Sequence, residues 1–414
     1  MRFPNGLRAF SHRDYRLYYS GQLISQTGTW MQSVAQSWLI VTLTHSAFKL
    51  GLISALQFLP TLLLALYSGA LADRLPKRKT LVVTQTIMML LAFIMSALVY
   101  SGHVQYWHVA IMALLLGITR TLDMPVRQAY VVDMVGGKEN LSNAIALNSA
   151  LVNGARLLGP AVAGVLIAKY GLVSAFTIDG ISYMAVIAAL LLTTAEGLPK
   201  AREKKPISSD IMDGLRYTYR TPVVFFLMAL LLVIGLFVIN FQVLVTVMAS
   251  SVLNIGAPGY GYLMSSLGAG ALVGAMLLAF RGKEGRNLKP LIASGLALCT
   301  VTTLMYFVHA FSLACACVFL MGLSQIMYTA DTNTSLQVLV PDELRGRVIS
   351  LYQLMFTGTT PVGALLTGAV IEHFNGSMGF LVDGGIGLLL AIALVFWWLR
   401  SQRGAVPVEA NVTG

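Results

Sequence analysis

The chain has 414 residues, of which 57% are hydrophobic and only 11% are Asp, Glu, Lys or Arg. A soluble domain carries about 25% charged residues, so composition argues against a water-soluble globule. The net charge of +11 then has to be explained by where the basic residues fall, not by a nucleic-acid partner. Cys299, Cys315 and Cys317 all lie in apolar segments, which argues against a disulfide framework. No His or carboxylate stands at ligand spacing to them, so neither a metal nor a cofactor is expected.

Taken in chain order, the opening MRFPNGLRAFSHRDYRLYYSG is polar and basic. It lacks a short apolar core followed by a small-residue cleavage site, so the first helix is expected to stay as an anchor. Apolar runs follow at about 18–42, 50–71, 80–101, 106–127, 143–168 and 173–193. A second set falls at about 222–248, 258–280, 289–309, 311–333, 346–370 and 378–399. Each reaches the roughly 20 residues a helix needs to cross a bilayer. The polar stretch 194–221 separates the sets, and IMDGLRYTY within it has the spacing of a short amphipathic helix. Basic residues crowd alternate loops: Arg8, Arg13 and Arg16; Arg74, Lys77, Arg78 and Lys79; Lys200 to Lys205; Arg281 to Lys289; Arg345 and Arg347; Arg400 and Arg403. The opposite loops hold only Lys49 and Lys169. The positive-inside rule therefore places both termini in the cytoplasm.

The first run is polar for a membrane helix. Gln22, Gln26, Thr29, Ser33 and Gln36 share one face, and Trp30 lies near it. Gln57, Asn240, Gln242, Gln325, Tyr328, Tyr352, Gln353 and Phe356 add candidate positions around a central cavity. Trp30 and Phe356 either stack on a ring or fill the bundle. So many amides and aromatics with few charges suit an amphipathic or aromatic small molecule.

The second and third runs are joined by GALADRLPKRK, residues 69–79. Gly69 permits close helix packing, Asp73 is placed to cap a helix or pair with a base, and the basic cluster holds the loop at the cytoplasmic face. The segment resembles the signature loop of the major facilitator superfamily, with Pro76 at the usual glycine. The resemblance implies a latch for one conformation.

At the end of the fourth run, Arg120, Asp123 and Arg127 stand three and four residues apart, on one helical face, with Asp133 beyond. This is either a static ion-pair lattice at a cytoplasmic gate or a site of proton or substrate coupling. In the fifth run, ARLLGPAVAG (155–164) places Arg156 inside the membrane, where it must be paired or wetted. Arg156 reads as a cavity-facing gating residue or as an internal structural pair. The segment resembles the antiporter motif of the same superfamily. Asp331, in MYTADTNTSLQ of the tenth run, either titrates or pairs with an arginine of the fourth or fifth run.

The halves repeat at an offset of 204 residues: Asp179-Gly180 matches Asp383-Gly384, Gly159 and Gly164 match Gly363 and Gly368, and Glu139 matches Glu343. The symmetry of the two aspartates argues for a packing role. Duplication of this kind implies two bundles rocking about a shared cavity.

The opening FSHRDYRLYYSGQLISQTGTWMQSVAQSWLI, with the later ENLSNAIALNS and PDELRGRVIS, resembles the transmembrane secretion effectors, the drug and siderophore efflux branch that includes enterobactin-type exporters. The resemblance implies an all-α major facilitator fold with twelve transmembrane helices in two pseudo-symmetric six-helix bundles. These would comprise 1–193 and 222–399, with a linker at 194–221 and a tail at 400–414. It also implies drug:proton antiport or siderophore export by alternating access in the inner membrane, among lipids; a monomer is expected because each chain already supplies both halves of a pathway. Asp123 and Asp331 are the leading titrating groups, and Arg120 and Arg156 are expected to pair with them or with an anionic cargo. Nutrient or organic-acid uptake and lysophospholipid flipping are the alternatives. No phosphate loop of the form G-x-x-x-x-G-K-[ST] is present, and no enzyme activity is expected.

Overall fold

A computed structural model of the chain describes residues 5–72, 74–135, 138–197, 207–281 and 287–404. Among these residues the regular structure is helical. The N-terminal series is α1 (Arg13–Thr44), α2 (Ala47–Ala72), α3 (Lys77–Tyr100), α4 (Tyr106–Met134), α5 (Lys138–Tyr170) and α6 (Leu172–Leu192). The expected amphipathic segment is α7 (Ile207–Arg220). The C-terminal series is α8 (Pro222–Phe237), α9 (Phe241–Val247), α10 (Gly256–Arg281), α11 (Lys289–Leu304), α12 (Phe311–Leu339), α13 (Asp342–His373) and α14 (Gly376–Gly404). Connections are tight where the chain adopts left-handed backbone. His45 (φ 51°) closes α1, donating its N–H to Val41, and Gly171 (φ 76°) separates α5 from α6.

Among the described residues, eleven segments are long and apolar enough to cross a membrane, with mean hydropathies of 1.5 to 3.0. The helix that falls short of the twelve expected from the sequence is α1. It is 32 residues long, but its buried positions include Gln22, Gln32 and Gln36, which lower its hydropathy. The seventh run is also not one helix. It breaks after Phe237 and resumes at Phe241, then ends in a π turn at Met248–Val252. Asn240 sits in the break, and its amide nitrogen donates to the Leu236 carbonyl at 2.7 Å. Broken backbone at membrane depth persists where protein groups satisfy it.

The packing is pseudo-symmetric. Helix α2 packs on α4 as α10 packs on α12, and α3 packs on α6 as α11 packs on α14. The two sets join through a matched pair of interfaces, α2 with α13 and α5 with α10. Lipid offers no hydrophobic drive for helix association, so close approach of small residues does that work. A Cβ placed on Gly261 would lie 2.5 Å from the Pro160 carbonyl oxygen, and one on Gly268 would lie 2.6 Å from that of Arg156. Gly368 is as tight against Ala47, at 2.8 Å from its carbonyl oxygen.

These contacts are uneven along the bundle axis. Gly164 meets Ala257, Pro258 and Gly261 near the end formed by the acidic- and base-poor loops. The α5–α10 contact continues toward the basic-loop end as far as Gly268 on Arg156, and Gly154, two residues beyond, has nothing within 4 Å of its Cβ direction. Gly69 on α2 likewise faces open space. The close packing expected at Gly69 is not made: among the described residues, none closes on it in this arrangement. Asp73 of the same loop lies outside the described residues, as does the side chain of Glu139.

Candidate functional site

Helix α1 is the spine of the polar interior. Its side chains meet a different partner at each turn, from Gln22 near the basic-loop end to Gln36 about 21 Å farther along.

At the basic-loop end, Asp123 of α4 is 3% exposed and forms an ion pair with Arg127 one turn later. Its other oxygen accepts from Thr84 Oγ1 at 2.7 Å and Gln85 Nε2 at 2.8 Å, both on α3. Arg127 in turn donates to Gln22 Oε1 at 2.8 Å. The i, i+4 spacing read from sequence is realised here, and three donors on two helices saturate the carboxylate. Thr84 also lines a 620 Å³ groove between α2, α3 and α4, whose walls are mainly apolar (Leu64, Leu71, Val83, Ile118) and whose rim carries Lys79.

Arg120 does not join this pair. Its charge lies near Asp179 and Tyr183 of α6, and the Tyr183 hydroxyl is 3.3 Å from Thr29 Oγ1 of α1. Beside them is Asp179 of α6, which is fully buried. Its carboxyl oxygens have no hydrogen-bond partner among the described residues. The Ser182 hydroxyl nearby is spent on Asp179's own main-chain carbonyl at 2.7 Å. Gly28 of α1 lies directly over the carboxyl: a Cβ there would be 2.9 Å from Asp179 Oδ1.

In the middle of the bundle, Arg156 crosses between the halves. Its Nη2 donates to Gln325 Oε1 of α12 at 2.9 Å, and its guanidinium lies 5.6 Å from the Trp30 ring centroid. Gly159 lets α5 close onto α1 at Trp30 and Thr27, so the glycine-proline segment of α5 contacts both α1 and α10. Toward the far end, Gln242 of α9 donates to Ser37 Oγ at 2.8 Å, and Gln36 reaches Gln57 at 3.4 Å. Trp38 stacks on Tyr260 across the halves, with centroids 6.1 Å apart.

The remaining sequence candidates divide by environment. Gln26 and Phe356 are half-buried, and Gln353 is exposed. Tyr352 stacks parallel to Phe356 at 6.1 Å and donates to the Thr329 carbonyl. Tyr328 is fully buried against Gly295 of α11, in the packing between α11 and α12. Asn240 is committed to its helix break. Asp133 pairs with Lys77, the first residue of α3, and Asp331 on α12 is half-buried and engaged by neighbours. Of the arginines expected near Asp331, Arg127 goes to Asp123 and Arg156 to Gln325.

Outside the spanning region, Asp14 ties the start of α1 to the segment after α6. It accepts from Thr194 N, Thr194 Oγ1 and Ala195 N at 2.8–2.9 Å. Burial works against its ionisation, but these donors and the neighbouring Arg13 charge outweigh it and hold the carboxyl below its usual range.

Sequence reading passed over Thr84, Gln85 and Tyr183, and assigned Asp179 to packing. The signal that marks Tyr183 was present, since it lies four residues from Asp179 on the same face of α6.

Residues 5–406 match the model of the family described as transmembrane secretion effector. The chain is similar to the staphyloferrin A transporter of Staphylococcus aureus, 25% identical over 96% of this chain and 98% of that protein. It is also similar to the multidrug efflux pump Tap of Mycolicibacterium fortuitum, 23% identical over 90% and 93%. Its fold matches the crystal structure of the nucleoside transporter NupG with a TM-score of 0.75, at 12% identity, over 93% of this chain and 98% of that one. A match over nearly the whole chain shows that this protein belongs to the transmembrane secretion effector family, multi-pass membrane transporters of the major facilitator superfamily.

Proposed function

We propose that this protein exports a small amphipathic compound by alternating access, driven by protons moving inward. The observation that carries the reading is the uneven join between the two bundles. They are packed backbone to backbone from Gly164 and Gly261 along to Arg156 and Gly268, and at Gly51 and Gly368, whereas a Cβ at Gly69, nearer the basic-loop end, would meet nothing within 4 Å. Two rigid bundles joined at one end are one state of a rocking pair. In this reading α1 is the twelfth crossing, its amides screened by partners on neighbouring helices. The basic loops lie in the cytoplasm of an inner-membrane protein, and the chain works as a monomer. The strip from Gln26 to Arg156 and Gln325 forms the cargo face, with Trp30 and Phe356 offering ring contacts. The saturated Asp123–Arg127 cluster acts as a gate strut.

Export as the direction is supported by the names of similar proteins, one a multidrug efflux pump. Uptake is the second reading. The fold is shared with a nucleoside transporter, and a rocking pair carries cargo either way. Lysophospholipid flipping would use the same cavity.

The test is transport in proteoliposomes under an imposed pH gradient, with a lipophilic cationic dye, a catecholate siderophore and a lysophospholipid as probes. Export predicts that an inward proton gradient drives a probe out of the basic-loop side. Accumulation on that side would establish uptake, and gradient-independent movement of the lysophospholipid would establish flipping.

A further inference from the structure

We infer that Asp179 is the proton-binding site of the transport cycle, and that Arg120 is the partner its carboxylate takes up when the proton leaves. This deepens the proton-driven reading above and rests on it.

The other carboxyls of the interior are already occupied. Asp123 holds Arg127, Thr84 and Gln85, and Asp133 holds Lys77. Asp383 accepts from Thr367, and Asp331 is engaged by its neighbours. A proton added to Asp123 would have to displace an arginine and two neutral donors. Asp179 has no charge to displace and only the neutral Ser182 hydroxyl close by: it is 0% exposed, and both its oxygens lack a well-formed hydrogen bond among the described residues. A carboxylate enclosed this way must be paired or neutralised.

A pair is within reach but not made. The Arg120 charge lies near both Asp179 and Tyr183, yet among the described residues no ion pair joins Arg120 to Asp179. From the other packed helices, α1 presents Gly28 and Thr29, and α3 presents Phe93 and Ser96, none of which titrates. Helix α5 packs lightly on α6, and its Arg156 is turned to Trp30 and Gln325. The two arrangements follow directly. With a proton on Asp179 the carboxyl is neutral and Arg120 stays unpaired with it. When the proton leaves, the carboxylate is charged and draws Arg120 across.

That exchange moves α4 relative to α6 and changes what Thr29 of α1 can bond. It therefore reaches the cargo face, because Trp30 and its Arg156 contact lie one residue on. Gly28 is the covering group: α1 seals the carboxyl from the pathway, so proton release requires α1 to lift. A bulky residue at position 28 would hold the seal open.

The experiment is infrared difference spectroscopy of the reconstituted full chain during a pH titration, which needs no cargo. The protonated-carboxyl stretch is followed in the wild type and in Asp179→Asn, Asp179→Glu, Asp383→Asn and Arg120→Gln. A titrating band that is lost in Asp179→Asn, kept but shifted in frequency in Asp179→Glu, and unchanged in Asp383→Asn supports the inference. Arg120→Gln should move the midpoint of that band by about one pH unit or more. A band that survives Asp179→Asn, or a wild type with no titrating buried carboxyl, overturns it. Gradient-driven transport of the three probes is measured in parallel. Asp179→Asn should lose at least about tenfold of the acceleration by the gradient while keeping exchange at equal pH. Full acceleration in that variant overturns the inference and leaves proton coupling standing. A wild type without acceleration, with the Asp179 band present, overturns the coupling reading instead.

Discussion

Asp179 and Asp383 occupy the same register of the two repeats, each followed by glycine and each buried, yet their surroundings differ. Asp383 of α14 accepts a hydrogen bond from Thr367 of α13. The residue at the register of Thr367 in the first half is Ala163, which has no donor to give. Asp179 instead faces Arg120 on α4, where the second half has Ser324 at the same offset. One duplicated carboxyl is thus settled by a neutral donor within its own bundle. The other is left beside a movable charge. Duplication supplied the same residue twice, and small changes around it separate a structural group from one that can change state.

The difference can be tested by altering partners. The largest effect is expected where a saturated carboxylate is stripped. Arg127→Ala leaves the buried Asp123 charge uncompensated, which costs on the order of 3–5 kcal/mol. Thermal unfolding in detergent should show a large fall in Tm, whereas Arg120→Ala, which breaks no ion pair in this state, should cost much less. Similar losses for the two would remove the contrast between a strut and a movable arginine.

Thr367→Ala converts Asp383 into a second unpartnered carboxyl. Leaving a buried acceptor unmade costs about 1–3 kcal/mol, again read from Tm, while gradient-driven transport should persist. The reciprocal change, Ala163→Ser, offers Asp179 the donor that Asp383 has. A donor favours the ionised form, so half-maximal transport should then require a more acidic outer side. An unchanged pH profile would show that the register match does not bring position 163 to Asp179.

The smallest effect concerns Asp14. Its carboxyl is held below the usual range in the folded chain, so its stabilising contribution is present above the unfolded value and is lost as pH falls through the folded one. The Tm difference between wild type and Asp14→Asn should be constant near neutrality and shrink only at strongly acidic pH. A difference that disappears between pH 6 and pH 8 would contradict this sign.

Much of the architecture was legible because it depends on composition over long windows. Apolar runs mark the spans, and the basic loops give their alternation. The 204-residue repeat is visible in Gly159, Gly164, Gly363 and Gly368, which the fold then uses at α1, α10, Asn240 and α2. The failures were local. α1 drops below the hydropathy of its neighbours because it carries several glutamines, and the partners that Gln22 and Gln36 find on other helices are ones a one-dimensional scan cannot credit. The break at Asn240 was hidden inside the most apolar run of the chain. Gly69 was expected in a tight interface that this state does not form.

The site was legible as a set of residues but not as a set of pairs. Helical spacing alone allowed Asp123 to pair with Arg120 or Arg127, and the structure gives it Arg127. Cross-helix partners such as Thr84 with Asp123, or Arg156 with Gln325, are 39 and 169 residues apart. No local pattern encodes such pairs.

By itself, the sequence determined that this chain is a multi-helix membrane protein with a duplicated plan and a polar first helix, since those properties follow from hydropathy, charge placement and self-similarity. Tertiary structure alone decided which buried carboxyl is satisfied and which is not. That outcome depends on the rotation of α3, α4, α5 and α6 about their axes and on the contacts that rotation brings, and these are set by packing between helices rather than by order along the chain.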